Sequence, residues 1–318
     1  MSKWATLVRV VQSGRLRRTL VEKYWHPVER WVWTLPWTRN ARVRRFLGER
    51  TLGYVHGEGN ESDINRPGSE VWTWRGRIQR VVDCPENARI PRVEGAGTVH
   101  GDTLRMHQGI ELVAFSYGAY GVEKMLVENR GVHEPQEEFL FQELLRHLPR
   151  GATMVELGSY WAYYSMWFHR EIADARNICI EPEAQNLRFG QRNFSRLGWP
   201  AEFAQAFIGC DTGWDLPEIF KRFNLENLDL LHSDIQGYEL PLLEGGRELL
   251  AAGRVHNVFV ATHGDDLHSQ SLTILRDTGM TIVAENPPTT AWAYDGLILA
   301  TRNPDIPQFE LSRFDWPH

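Results

Sequence analysis

The chain has 318 residues, 42% of them hydrophobic, and a formal net charge of −6. That length holds one large domain or two small ones, with apolar content enough for a real core. No apolar run reaches the roughly 18 residues of a membrane span, the N-terminal stretch lacks the apolar segment of a signal peptide, and three cysteines without a CxxC pair suggest neither a disulfide framework nor a zinc site. Cys84, Cys179 and Cys210 fit a reducing, cytoplasmic setting.

Charge is uneven. Residues 1–50 hold 12 Lys/Arg against 3 Asp/Glu, leaving 23 against 38 for the rest: a basic arm on an acidic body. The arm reads as helical to about Gly48 and carries Trp4, Trp25, Trp31, Trp33 and Trp37. Such an arm could rest on an anionic membrane surface. Its apolar and charged residues are not sorted into faces, which favours packing on the body or on a second subunit, a route to a homo-oligomer. Basic residues also bind phosphates, but the body's acidity argues against a large nucleic-acid footprint. Residues 51–70, rich in Gly, Asn, Ser and Asp, read as a loop.

Residues 71–130 contain "VWTWRGRIQRVV", "GTVHGDTLRMH" and "IELVAFSYG". Their short alternating stretches predict a small antiparallel β-unit with hairpins. From about residue 134 the pattern changes. "PQEEFLFQELLRHL" predicts a helix with Pro135 in its first turn and Phe139, Leu140, Leu144, Leu145 and Leu148 at helical spacing. Then strands ("ATMVEL", "NICIE", "AEFAQAFI", "LDLLHSDI", "VHNVFVATH") alternate with helices ("YWAYYSMWFHREIA", "EAQNLRFGQRNFSRL", "ELPLLEGGRELLAA", "DLHSQSLTILRDTG"). "MTIVAEN" and "DGLILATR" close the chain without a helix between them. The expectation is an α/β fold: a seven-stranded, mostly parallel sheet covered on both faces, with a reversed edge strand. The expected parts are an arm and loop (1–70), a β-unit (71–130) and the sheet domain (131–318).

In an open α/β sheet, ligands bind beyond the carboxyl ends of the strands at the switch point. "MVELGSYWAYYS" (154–165) puts a strand, a turn at Gly158 and a helix there. A dinucleotide turn needs further glycines so that backbone can approach a pyrophosphate; Tyr160 and Tyr163 stand in those places. Glu156 would repel phosphate and attract an ammonium group. Glu181 ends the second strand 23 residues after Gly158, where an acid suits the hydroxyls of a ribose. A ribose, an amine and no phosphate describe S-adenosylmethionine. The aromatics, Tyr160 and Tyr164 among them, could face its sulfonium, an attraction of roughly 0.5–2 kcal/mol; a core role is the simpler reading for them.

These stretches, with "GVHEPQEE" (131–138), "CIEPEAQNLRFGQRNF" (179–194), "LDLLHSDIQGYELPLLEGG" (228–246), "VFVATHG" (258–264) and "YDGLILA" (294–300), resemble the FkbM-type S-adenosylmethionine-dependent methyltransferases over about residues 71–302. The "D-x-Q-G-x-E" run is the more specific part. The resemblance implies a Rossmann-like sheet with a reversed last strand and cofactor contacts at Glu156, Gly158, Glu181 and near Asn186. It also implies a small-molecule acceptor, since members modify hydroxyls on sugars or natural products. Glu156 and the bulky Tyr160 and Trp161 depart from the family's usual Asp and small residue, narrowing the methionine end.

An alcohol acceptor must lose a proton, so a base or metal is expected at the strand mouths. Asp234 stands after the fourth strand; Gln236, a candidate cofactor contact, and Glu239, a candidate catalytic residue, follow it. "THGDDLH" adds His263, Asp265, Asp266 and His268. One reading makes His263 (or His232) a general base oriented by Asp234. A second sets Mg²⁺ on Asp234 with Asp265 or Asp266. A third gives these groups no chemical role, with His232 a core histidine. The β-unit would cap the acceptor side, near His107, His133 and Glu134, each of which also reads as a plain surface or hinge residue. The expected activity is O-methylation of a sugar, glycoside or natural-product hydroxyl. N-methylation of an amine or peptide, or a non-catalytic cofactor-binding scaffold, are the alternatives.

Overall fold

The computed structural model describes residues 73–114, 116–117, 120–209 and 213–316. The basic arm and Cys210 lie outside the described residues.

The first described element corrects an expectation. "VWTWRGRIQRVV" has the alternation of a strand, but α1 (Trp74–Asp83) is a helix. Thr73 caps it, its Oγ1 accepting from the Gly76 amide at 3.0 Å. Ile78 and Val81, three apart, are its buried aliphatic residues, and alternation with arginines masked that spacing. The Trp74 ring lies against α2 (Tyr120–Glu128) at Gly121, where a Cβ would stand 2.2 Å from it. Between them β1 (Val99–His100), β2 (Thr103–Arg105) and β3 (Glu111–Val113) form the expected antiparallel unit.

Helix α3 (Pro135–Leu145) buries Phe139, Leu140, Leu144 and Leu145, each worth about 1.5–3 kcal/mol. It also buries Gln136, Glu137 and Glu138. Glu138 Oε1 accepts the amides of His133 (2.5 Å) and Glu134 (3.1 Å), closing the helix start.

The large sheet follows the expected alternation: β4 (Thr153–Leu157), α4 (Tyr163–Glu171), β5 (Arg176–Ile180), α5 (Ala184–Leu197), β6 (Glu202–Ala204), α6 (Leu216–Arg222), β7 (Leu228–Ser233), α7 (Glu239–Gly245), α8 (Arg247–Ala251), β8 (Val255–Thr262), α9 (Asp265–Asp277), β9 (Thr281–Asn286) and β10 (Gly296–Thr301). Its order is β6-β5-β4-β7-β8-β10-β9. All neighbours are parallel except β10, which runs antiparallel to β8 and β9. The reversal therefore falls on the last strand, slotted between β8 and the edge strand β9. Alternation feeds two cores. Met154, Cys179 and Phe259 face one side; Val155, Ile178 and Val258 face the other.

Three details differ from the sequence reading. The strand at 201–208 is only three residues long, the chain leaving the sheet to bridge Ile208 with Trp214. Helix α6 has no counterpart in that reading. The helix over 239–252 is broken at Gly246, where the Leu216 side chain of α6 packs.

Candidate active site

The order reverses direction at β4: β5 and β6 lie to one side, β7 and β8 to the other. The crevice at that switch point is where a ligand reaches the strand mouths. Gly158, the first residue past β4, sits at φ 74°, and a Cβ there would stand 1.8 Å from the Asp234 carbonyl oxygen. The Asp234 amide in turn donates to the Leu157 carbonyl at 3.0 Å. The turn after β4 and the residue after β7 are therefore in direct backbone contact.

The turn is longer than predicted. Tyr160 (φ 42°) and Ala162 (φ 59°) are also left-handed, delaying α4 to Tyr163. Such backbone costs of order 1–3 kcal/mol per residue and concentrates at functional sites. Glu181, at the end of β5, closes the turn from the other side. Its carboxylate accepts the Tyr160 amide (3.1 Å), the Glu183 amide (3.0 Å) and Asn186 Nδ2 (3.2 Å). Burial raises its pKa. Gly158, Glu181 and Asn186 are thus brought together. Ser159 Oγ and Asn186 Oδ1 are buried here without hydrogen-bond partners, polar atoms that suit the hydroxyls and nitrogens of a nucleoside.

The other turn-proximal candidates lie deeper. Glu156 Oε2 accepts the Ser165 amide at 3.0 Å inside the first turn of α4, and burial pushes its pKa up to about 7. Tyr164 is a core residue, its ring 4.5 Å from His232 and 4.9 Å from Phe141. Tyr160 points toward the cap, its hydroxyl donating to the Tyr117 carbonyl at 2.5 Å. His232 is the buried core histidine that the sequence favours, stacked on Phe259 and 3.1 Å from Glu137 Oε1. Burial lowers its pKa and raises that of Glu137.

On the rim, four residues from four segments meet. His263, just past β8, donates Nδ1–H to Glu239 Oε1 at 3.0 Å. Its Nε2 lies 3.3 Å from Asp234 Oδ1 and 3.3 Å from Asp295 Oδ1. Glu239, fully buried, also accepts the amides of Ile235 (3.0 Å) and Gly237 (3.0 Å), folding the loop after β7 around itself. Gln236 sits at φ 55° and donates Nε2–H to Asp234 Oδ1 at 2.8 Å; it holds Asp234 in place.

Burial alone would lower the His263 pKa. The contacts with Asp234 and Glu239 and the charge of Asp295 outweigh it and raise the pKa to about 11. That shift favours the charged imidazolium, a form with no lone pair to take a proton, and so weighs against the reading of His263 as a general base. Asp295 was not among the expected residues. Its only sequence signal is the stretch before the last strand, and only the reversal of β10 brings that end to the rim.

Asp265 Oδ1 accepts from Thr289, and His268 bonds Thr262 and Glu285. Among the described residues, Asp234, Glu239 and His263 come within 4.8 Å of one another. There the Ile235 and Gly237 amides already bond Glu239.

On the cap side, His133 Nδ1 lies 3.3 Å from Glu134 Oε2, and Arg77 of α1 4.0 Å from Glu134 Oε1. Burial works against ionisation of Glu134, but His133 and Arg77 hold it well below the usual carboxylate range. His107 is buried against Trp167 and 3.0 Å from Glu138 Oε2, a structural contact.

Residues 214–280 match the methyltransferase FkbM domain. No curated protein matches the chain. Among solved structures, the chain is similar to the precorrin-6y C5,15-methyltransferase of Geobacter metallireducens GS-15 (15% identity, 52% of this chain and 86% of that one, TM-score 0.40). It is also similar to TrmK of M. capricolum in complex with S-adenosyl-homocysteine (13%, 52% and 68%, TM-score 0.38). A third is fibrillarin of Aeropyrum pernix with S-adenosyl-L-methionine (17%, 51% and 74%, TM-score 0.36).

Proposed function

We infer that this chain, an FkbM-type S-adenosylmethionine-dependent methyltransferase by its match over residues 214–280, methylates a hydroxyl of a sugar or other polyhydroxylated small molecule. The observation that carries the reading is the backbone contact between Gly158 and Asp234. It joins the nucleoside-side groups (Glu181, Asn186, Ser159) to the polar rim (Asp234, Glu239, His263, Asp295). When bound, S-adenosylmethionine supplies the methyl group: a C–O bond forms as the C–S bond breaks, and the bonding pair stays on sulfur.

The chain's own part is threefold. The turn at Gly158 and Glu181 hold the nucleoside. The rim carboxylates orient a hydroxyl within about 3 Å of the transferred carbon. The imidazolium of His263 keeps those carboxylates fixed. Helix α1 and the β1–β3 unit are proposed to close the acceptor side, with Arg77, Glu134 and Tyr117 at the seam.

Calorimetric titration with S-adenosylhomocysteine tests the cofactor half. Micromolar binding is expected, weakened about tenfold or more in Glu181→Ala, the loss of a charged hydrogen-bond acceptor. No binding by the unaltered chain would sink the reading. Turnover on a panel of methyl glycosides tests the acceptor half; methylation of amines instead would replace oxygen by nitrogen.

A further inference from the structure

We propose that Asp295, the residue just ahead of the reversed last strand, is the general base that accepts the acceptor's hydroxyl proton. The inference rests on the reading of the site as a hydroxyl methyltransferase.

The geometry separates Asp295 from the other acids of the rim. Glu239 is fully buried and committed to His263 and two loop amides. Asp234 Oδ1 already accepts from Gln236 and faces His263. Asp295 Oδ1 lies 3.3 Å from His263 Nε2. Its side chain is 31% exposed and so reaches solvent. The backbone fixes it: Gly296 pairs with Thr262 across β8 and β10, which sets Asp295 opposite His263.

The groups facing it come from four segments: His263 after β8, Asp234 after β7, Glu134 ahead of α3 and Arg77 on α1. Burial, together with the charges of Asp234 and Glu134, outweighs the pull of His263 and Arg77 and raises its pKa to about 7. A carboxylate matched to neutral pH combines a useful ionised fraction with real basicity. In the step, the acceptor O–H proton passes to an Asp295 carboxylate oxygen. The O–H bonding pair stays on the acceptor oxygen, which forms the new C–O bond. The proton then leaves Asp295 for solvent, and no further reactant is needed. His263 is a positioning residue here, charged throughout.

The first test needs no acceptor. In the complex with S-adenosylhomocysteine, the ¹³C carboxyl resonances and the imidazole ¹⁵N resonances are followed against pH, for the unaltered chain and for Asp295→Asn. A carboxyl titrating near pH 7, missing in Asp295→Asn, with His263 protonated well past pH 8, is the expected result. An Asp295 midpoint near the ordinary carboxylate value, or a His263 midpoint near 6.5, would overturn the proposal, and both are read on the unaltered chain even if the variant misfolds. On a methylated glycoside, Asp295→Asn should lower kcat by about 10²–10⁴-fold and remove the limb that rises through pH 7, with S-adenosylhomocysteine affinity kept within about twofold. A variant that keeps both limb and kcat would also overturn it. Loss of S-adenosylhomocysteine binding by the unaltered chain would instead count against the cofactor reading.

Discussion

Gly158→Ala abolishes S-adenosylhomocysteine binding and costs more than about 3 kcal/mol of stability, a loss of the size reserved for core and backbone disruption. Two effects add. A left-handed alanine at φ 74° carries of order 1 kcal/mol or more of backbone strain. Its Cβ would also stand 1.8 Å from the Asp234 carbonyl oxygen, far inside contact distance. Neither side can yield cheaply. The Gly158 and Ser159 amides donate to the Ile180 carbonyl at 2.9 and 3.1 Å, and the Asp234 amide donates to Leu157. Moving the turn would break the edges of β4, β5 and β7 together. Gly151→Ala is the control: it has φ 78° and nothing within 4 Å of its Cβ, so it shows the strain alone. Urea melts of the two variants, with calorimetry at the cofactor site, check this. If Gly158→Ala melted like Gly151→Ala and still bound, the close contact between turn and rim would be wrong.

His263→Gln destabilises the fold by about 3–5 kcal/mol, the cost of removing one partner from a buried charge cluster, and the loss depends on pH in a defined direction. The variant keeps a side-chain amide but leaves Glu239, fully buried, beside Asp234 and Asp295 without a cation. The imidazole pKa rises from 6.5 in the unfolded chain to about 11 in the folded one. Folding therefore takes up a proton between those values. The stabilisation is fully present below about pH 6.5 and is lost as pH rises through 11. The gap between the unaltered chain and His263→Gln should narrow steadily from pH 7 to pH 10 in urea melts. A gap independent of pH would show that His263 is neutral in the folded protein.

Much of the fold was legible in the sequence because its causes are local. Period-two apolar runs and helical spacings found all seven strands of the large sheet and the helices α3, α4, α5, α7 and α9 within a few residues. Where two local signals competed, the sequence misled. Alternating arginines made α1 look like a strand, although Thr73 caps it and Trp74 packs on Gly121. At the site, the Gly158 turn and the acid 23 residues on needed no tertiary knowledge, because the first helix crossover sets their spacing. That Asp234, Glu239 and His263 lie near one another was legible too, since each follows a strand whose carboxyl end must reach the rim.

What the sequence by itself determined is thus the alternating α/β plan, the glycine turn and the strand-end acids, all consequences of periodicity and of backbone chemistry within a single βα unit. Only the tertiary structure decided which carboxylates surround His263, Asp295 among them. That set depends on the antiparallel insertion of β10 beside β8, a pairing that sets residues 263 and 295 opposite one another. A protonation state is a sum over whichever charges the fold brings near, and no local pattern encodes that sum.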